Sequence, residues 1–438
     1  MIIDIKSFGD RYLWKGLLTG FLIIVLLIPA LLVQNLVEER RQRHEEVIAE
    51  VSSKWANPQI LKGPFLIIPY TYTMATKDDN LETFLRQRIV LPQDLNLEGQ
   101  LQPEKKRRTI YEVALYRSDL RIEGNFDLAS VQAAPEETIH WDKARLCLGI
   151  SDVRGIEKQI GGSLLNQPLQ FEAGIPENAF TAAGVSAALD LSSAKENNAI
   201  VFTIPLSLRG SGSFQLLPVG KTTVMNLGSP WQAPSFDGKF LPDHKLSDSG
   251  FSASWKVLHF NRNFPQVWVN QDYAAEDYAF GVSLLQPTDN YSKTLRSVKY
   301  AILFIGLTFG FFFLLEILQN KKVHPIQYIL VGVALVVFYT LLLSVGEVSG
   351  FDLAYIAATI ATVGLITWYS KFLFSSWRNA LFIGAFLTTL YTFIYVLIQL
   401  EDSALLLGSI GLFVLIAIAM HFSKKISWYE PGQAAALQ

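Results

Sequence analysis

Six stretches of the chain are apolar for long enough to cross a hydrocarbon core of about 30 Å, which takes roughly 17 to 25 helical residues. They cover residues 16–33, 300–318, 328–345, 351–368, 380–400 and 404–421. Between the first and the second, residues 34–299 contain no comparable run. The pattern predicts one N-terminal anchor, one large aqueous domain and a bundle of five helices.

Residues 34–53, QNLVEERRQRHEEVIAEVSS, are polar with sparse apolar positions and good helix formers, so a helix continuing from the anchor is expected. A solvated face accounts for its charges; a lipid-headgroup or partner contact is the alternative. Beyond it the pattern shortens to β-branched and aromatic runs between turn residues: GPFLIIPYTYT, RRTIYEVALYRSDLRIEGNFDL, AIVFTIPLSLRGSGSFQLL and FGVSLLQP. In TIYEVALY, Ile110, Val113 and Leu115 do not alternate cleanly, yet aromatic and β-branched content with flanking charge favours a strand. The Gly-Ser-Gly of LRGSGSFQL reads as a hairpin turn. A β-rich domain, sandwich-like with some helix, is the predicted fold of this part.

Composition agrees with a membrane protein. Of 438 residues, 50% are hydrophobic and 17% charged, against about a quarter charged in soluble domains. A net charge of -2 gives no basic face for a nucleic acid. The single cysteine, Cys147, excludes an intramolecular disulfide. Lys6, Arg11 and Lys15 precede the first apolar run as in a signal peptide, but the exit PALLVQNLVEERRQR lacks a small-x-small cleavage site, so an uncleaved anchor is expected.

Charge also orients the helices. Lys321 and Lys322, Lys371 and Arg378, and Lys424 and Lys425 mark one side as cytoplasmic, whereas Glu347, Asp352, Glu401 and Asp402 lie in loops without basic residues. Both termini are then inside and the large domain outside. The expected divisions are 1–33, cytoplasmic N-terminus and anchor; 34–299, the exported β-rich domain; 300–423, the five-helix bundle; and 424–438, a cytoplasmic tail.

Little catalytic chemistry is visible. Six scattered histidines form no His-x-x-x-His pair and no Cys-x-x-Cys exists, so no metal or cofactor is expected. Neither a phosphate-binding loop nor a nucleophile elbow occurs. Asp152 and Arg154 in SDVRGI offer a polar constellation, for which a structural ion pair is the simpler explanation. NYS at Asn290 has the pattern of a glycosylation acceptor.

Ionisable groups in or near membrane spans are functional candidates by default. Here they are Glu316, His324 and Glu347, with Tyr300, Tyr328, Tyr339, Ser344 and Tyr355 as polar neighbours. Glu316 lies near the end of its span, where capping, snorkelling to water or a contact with the following loop would explain it. Tyr328 and Tyr339 could line a polar seam. Gly306, Gly310, Gly332 and Gly364 read as sites of close helix packing, and Trp368, Tyr369 and Trp377 as an interfacial belt.

Taken together, SSKWANPQILKGPFLIIPY, RRTIYEVALY, LGISDVRGI, SWKVLHFNRNFPQVW, FGVSLLQPTDNYSKTLRSVKYAILFIGLTFGFFFLLE, VHPIQYILVGVALVVFYTLLLSVGE and FDLAYIAA resemble the CreD family of bacterial inner-membrane proteins. The likeness spans essentially the whole chain and is densest over 299–358. It implies a Gram-negative inner membrane, a periplasmic β-rich domain, and a role in envelope integrity or stress connected with the CreBC response. The family supplies no catalytic residues. The expected function is therefore non-enzymatic, with the periplasmic domain binding an envelope protein, lipid or peptidoglycan-related ligand in addition to the bilayer. A lipid- or solute-handling transporter and an enzyme acting on envelope lipids or polymers are the alternatives.

Overall fold

The computed structural model describes residues 7–75, 81–176, 180–193, 199–269, 273–284, 289–319, 321, 323–400 and 403–423. They divide into two compact units: the described parts of Met1–His44 with Pro287–Gln438, and Glu45–Gln286.

The first unit is helical. α1 (Ser7–Trp55) is one helix of 49 residues, so the polar stretch after the anchor does continue it; its last residues belong to the second unit. α2 (Asp289–Lys299) precedes α3 (Ala301–Leu318), α4 (Pro325–Ser349), α5 (Phe351–Phe374), α6 (Trp377–Gln399) and α7 (Ala404–Ser423). Within α1 and in α3 to α6, five helices are long and apolar enough to cross a membrane; α7 has 20 residues and an apolar stretch at Leu406–Ile418. The six spans read from hydropathy correspond to these helices.

α2 has no counterpart in the hydropathy reading. It is short and polar, yet it buries Tyr291, Thr294 and Val298, spaced three and four apart on one helical face. It belongs to the helical unit. Only one of the four bundle glycines proposed for close packing behaves so. A Cβ on Gly332 would stand 2.1 Å from Leu26 Cδ1 of α1, whereas at Gly306, Gly310 and Gly364 nothing lies within 4 Å among the described residues.

In the second unit the described strands form a ten-stranded and an eight-stranded sheet. The first is organised around Gln59–Ala75, which pairs antiparallel with Leu81–Val90 and Ala144–Ile150 and parallel with Ser213–Leu216. The second runs Asp243–Ser247, Gly250–Leu258, Thr222–Ser229, Asp94–Arg108, Tyr111–Phe126, Ile200–Ser211, then two short strands. One apolar cluster draws on both sheets, with Phe65, Leu97, Ile122, Phe202 and Phe214 wholly buried. This is the expected sandwich.

Ile200–Ser211 alternates between buried and more exposed positions, as a strand with one solvated face does. Tyr111–Phe126 does not, because Val113 through Tyr116 are buried on both faces. TIYEVALY lacks alternation for that reason and because Ile110 lies in the turn that precedes the strand. The Gly-Ser-Gly after it is not a hairpin turn: Ile200–Ser211 lies in one sheet and Ser213–Leu216 in the other. Gly212, at φ +67°, turns the chain between sheets, a conformation glycine adopts without steric cost. Cys147 is buried in Ala144–Ile150, and desolvation pushes its thiol up to about 12.

Candidate functional site

Glu316 stands in the last turn of α3 and its side chain is only 3% exposed. A carboxylate removed from water is tolerated only when paired and hydrogen-bonded. Three donors converge on it. Lys15 of α1 donates to Oε1, the Val323 backbone N–H donates to Oε1 at 2.9 Å, and the Tyr328 hydroxyl of α4 donates to Oε2 at 3.0 Å. Phe309 and Phe312 flank the Tyr328 ring at 5.3 and 6.3 Å between centroids. The contact with the following loop is present; snorkelling to water is not, because Lys15 and Tyr328 enclose the carboxylate. Chemically this cluster ties α1, α3 and α4 together through one charge.

The other membrane candidates are dispersed. His324 caps α4: its Nδ1 accepts the Ile326 N–H at 3.3 Å, and the Gln327 side chain accepts the His324 N–H at 2.8 Å, a reciprocal cap. Glu347, at the opposite end of α4, accepts from Tyr291 of α2 at 3.3 Å and lies 3.9 Å from Arg40 of α1. Tyr339 is fully buried against Phe304 and Phe338. Its hydroxyl, like that of Tyr391, has no hydrogen-bond partner among the described residues. Tyr328 and Tyr339 therefore belong to different surroundings rather than one seam. Asn290 accepts from the Phe351 N–H at 3.0 Å. Trp368 and Trp377 are exposed, as an interfacial belt requires. Lys322, Glu401, Asp402, Lys424 and Lys425 lie outside the described residues.

In the β-rich unit, Asp152 and Arg154 form a fastening for the chain leaving α1. The guanidinium grips both carboxylate oxygens, at 2.8 and 2.6 Å, and donates to the Ser53 carbonyl. Asp152 also accepts the Asn57 N–H at 2.9 Å. The Gln59 amide donates to the Asp152 carbonyl at 2.9 Å and to the Arg209 carbonyl at 3.1 Å. Hydrogen bonding by Arg154, ahead of the opposing effect of burial, holds the Asp152 carboxyl down to about 2.

A larger feature occupies the outward face of the eight-stranded sheet. Register sets Asp243, Ser254, Asn226 and Glu98 in one row across four strands, and Lys245, Ser252, Gly228, Gln100 and Asp119 in the next across five. Small Ser252, Ser254 and Gly228 sink the middle of these rows into a groove of about 860 Å³. The next row holds Gln102, Arg117 and Arg209, and the Trp55 ring centroid lies 4.3 Å from Lys106 Nζ, 4.8 Å from Arg209 Cζ and 5.3 Å from Arg117 Cζ. Sequence reasoning missed both features. The alternating polar positions Glu98, Gln100 and Gln102 carry the only local signal; assembly of the groove depends on strands distant along the chain. Among the described residues, no group of three or more His, Cys, Asp or Glu is placed to hold a metal ion.

The profile of the family described as "Inner membrane protein CreD" matches residues 11–429. A curated relative with that description, from Escherichia coli (strain K12), is 32% identical over 429 residues, covering 95% of this chain and 93% of the relative. With the apolar helices and the β-rich unit already described, these matches make the chain a member of the CreD family of multi-pass inner membrane proteins.

Proposed function

We propose that this protein is a non-enzymatic inner-membrane component that supports envelope integrity or the envelope-stress response, in connection with CreBC. Residues 34–299 are periplasmic, both termini are cytoplasmic, and the β-rich unit binds an envelope component. The observation that carries this reading is the broad groove: amides, hydroxyls and charges of both signs, with apolar surface between them, line a surface large enough for a ligand. The principal charged candidates are engaged in structure, Glu316 joining helices and Asp152 fastening α1, which supports binding over catalysis.

The test is a strain lacking the gene, scored for sensitivity to detergents and cell-wall antibiotics, then complemented with the wild-type chain or with Ser252→Trp, which fills the groove. Heightened sensitivity cured only by the wild type is expected. Normal sensitivity across conditions would remove the envelope role; full complementation by the folded Ser252→Trp variant would remove the groove from it.

A further inference from the structure

Three cations crowd the Trp55 indole, and cation–π attraction compensates only part of their mutual repulsion. Arg117 has Glu157 at 3.2 Å. Lys106 and Arg209 have no carboxylate partner among the described residues. Beside them are three donors that find no acceptor in the described structure: Trp55 Nε1, Arg209 Nε and Ser211 Oγ, each atom buried, with Ser211 only 1% exposed. Ser211 follows Arg209 by two positions and shares its face of the strand. Buried donors are rarely left unsatisfied. Unbalanced positive charge and orphaned donors at one place both call for the same missing species, an acceptor carrying negative charge.

We propose that the Trp55 cage binds an oxyanion, specifically a phosphate ester. Several oxygens on one tetrahedral centre can take bonds from guanidinium, indole and hydroxyl groups arriving from different directions, and guanidinium groups favour phosphate geometry. The row carrying Arg117 and Arg209 adjoins the groove rows, so a ligand of the outer sheet face would bring its phosphate here. This inference rests on reading the β-rich unit as a binding module and specifies its ligand chemistry. Inorganic phosphate, a soluble phosphomonoester and an anionic phospholipid headgroup all offer that chemistry.

The full-length protein, purified in a neutral detergent, would be melted at fixed ionic strength with chloride, inorganic phosphate, glycerol phosphate, and short-chain phosphatidylglycerol or phosphatidylcholine. A saturable rise in melting temperature with phosphate and glycerol phosphate assigns a soluble source. A rise with phosphatidylglycerol alone, and not with phosphatidylcholine, assigns a lipid headgroup. Arg209→Gln and Lys106→Gln should each weaken the effect about tenfold, whereas Lys245→Gln, in the groove, should leave it unchanged. Exposed Lys106 provides the decisive variant should Arg209→Gln fold poorly. No anion-specific rise, or an equal rise in all variants, would overturn the proposal and leave the donors to water. Such a result alongside a genuine envelope phenotype would leave the proposed function standing.

Discussion

Glu316 and Lys15 are separated by 301 positions, and each makes the other tolerable. Removing one partner of a buried ion pair strands the other charge, at a cost of roughly 3–5 kcal/mol, whereas replacing both with apolar groups can be nearly neutral. Glu316→Ala and Lys15→Ala should therefore each lower the melting temperature of the detergent-solubilised protein markedly, and Lys15→Met with Glu316→Leu should lose less than the two single effects combined, the remaining deficit coming from the Tyr328 hydroxyl and Val323 N–H left without their acceptor. Additive single effects would refute the coupling. Asp152 makes a pH-dependent prediction. Its folded carboxyl is held down to about 2, below its ordinary value near 3.9, so its contribution is complete above about pH 4 and disappears as pH falls towards 2. Arg154 is half-exposed, which reduces the contribution to about 1–2 kcal/mol. Asp152→Asn should destabilise the full-length protein by that amount at neutral pH and lose the difference from wild type near pH 2; an unchanged difference there would exclude this carboxylate as the source. A charge in an apolar run made Glu316 conspicuous in the sequence. Lys15 looked only like a basic flank, because linear order carries no information about which distant residue completes a buried charge.

Helices announced themselves where burial or lipid exposure imposed a long apolar run, which is why α1 and α3 to α6 were legible. α2 was not: with one narrow buried face on eleven residues, its pattern resembles that of any short polar segment. Glycine was ambiguous for a related reason. Its absent side chain permits close approach without requiring it, and of Gly306, Gly310, Gly332 and Gly364 only Gly332 is occupied, by Leu26 of α1. Gly332→Val should force these helices apart or push Leu26 off its rotamer, costing about 1–3 kcal/mol as overpacking does. Adding Leu26→Ala should restore much of the lost stability in a double-mutant cycle, while Gly364→Ala should change little. Equal destabilisation at both glycines would contradict the contact. The corner at Gly212 shows the same limit for strands: a turn signal marks where the chain reverses or bends, but not whether the next strand joins the same sheet.

Across the whole molecule, span order was legible because hydropathy is a one-dimensional property, whereas sheet order was not, since pairing such as that of Gln59–Leu61 with Phe214–Leu216 joins segments far apart in the chain. Orientation can be argued from where charge falls at helix ends. Glu347 and Asp352 bracket the α4–α5 connection, whereas Lys371 and Arg378 bracket the α5–α6 connection. Lys and Arg are preferentially retained on the cytoplasmic side, so the proposed topology has the α4–α5 connection in the periplasm and the α5–α6 connection in the cytoplasm. The chain is well suited to a labelling test, because its one native cysteine, Cys147, is buried and its thiol is pushed up to about 12; scarce thiolate and poor access make it a weak background target. Val348→Cys, at a position 77% exposed, should react with a membrane-impermeant maleimide on intact spheroplasts. Ser375→Cys, also exposed, should react only after the membrane is opened. Cys147 alone should remain dark in both. The reverse pattern would place the basic connection outside and exclude the proposed periplasmic location of the β-rich unit. Equal labelling of both sites before lysis would show that the barrier itself was lost, which an impermeant probe of a cytoplasmic enzyme in the same sample would reveal.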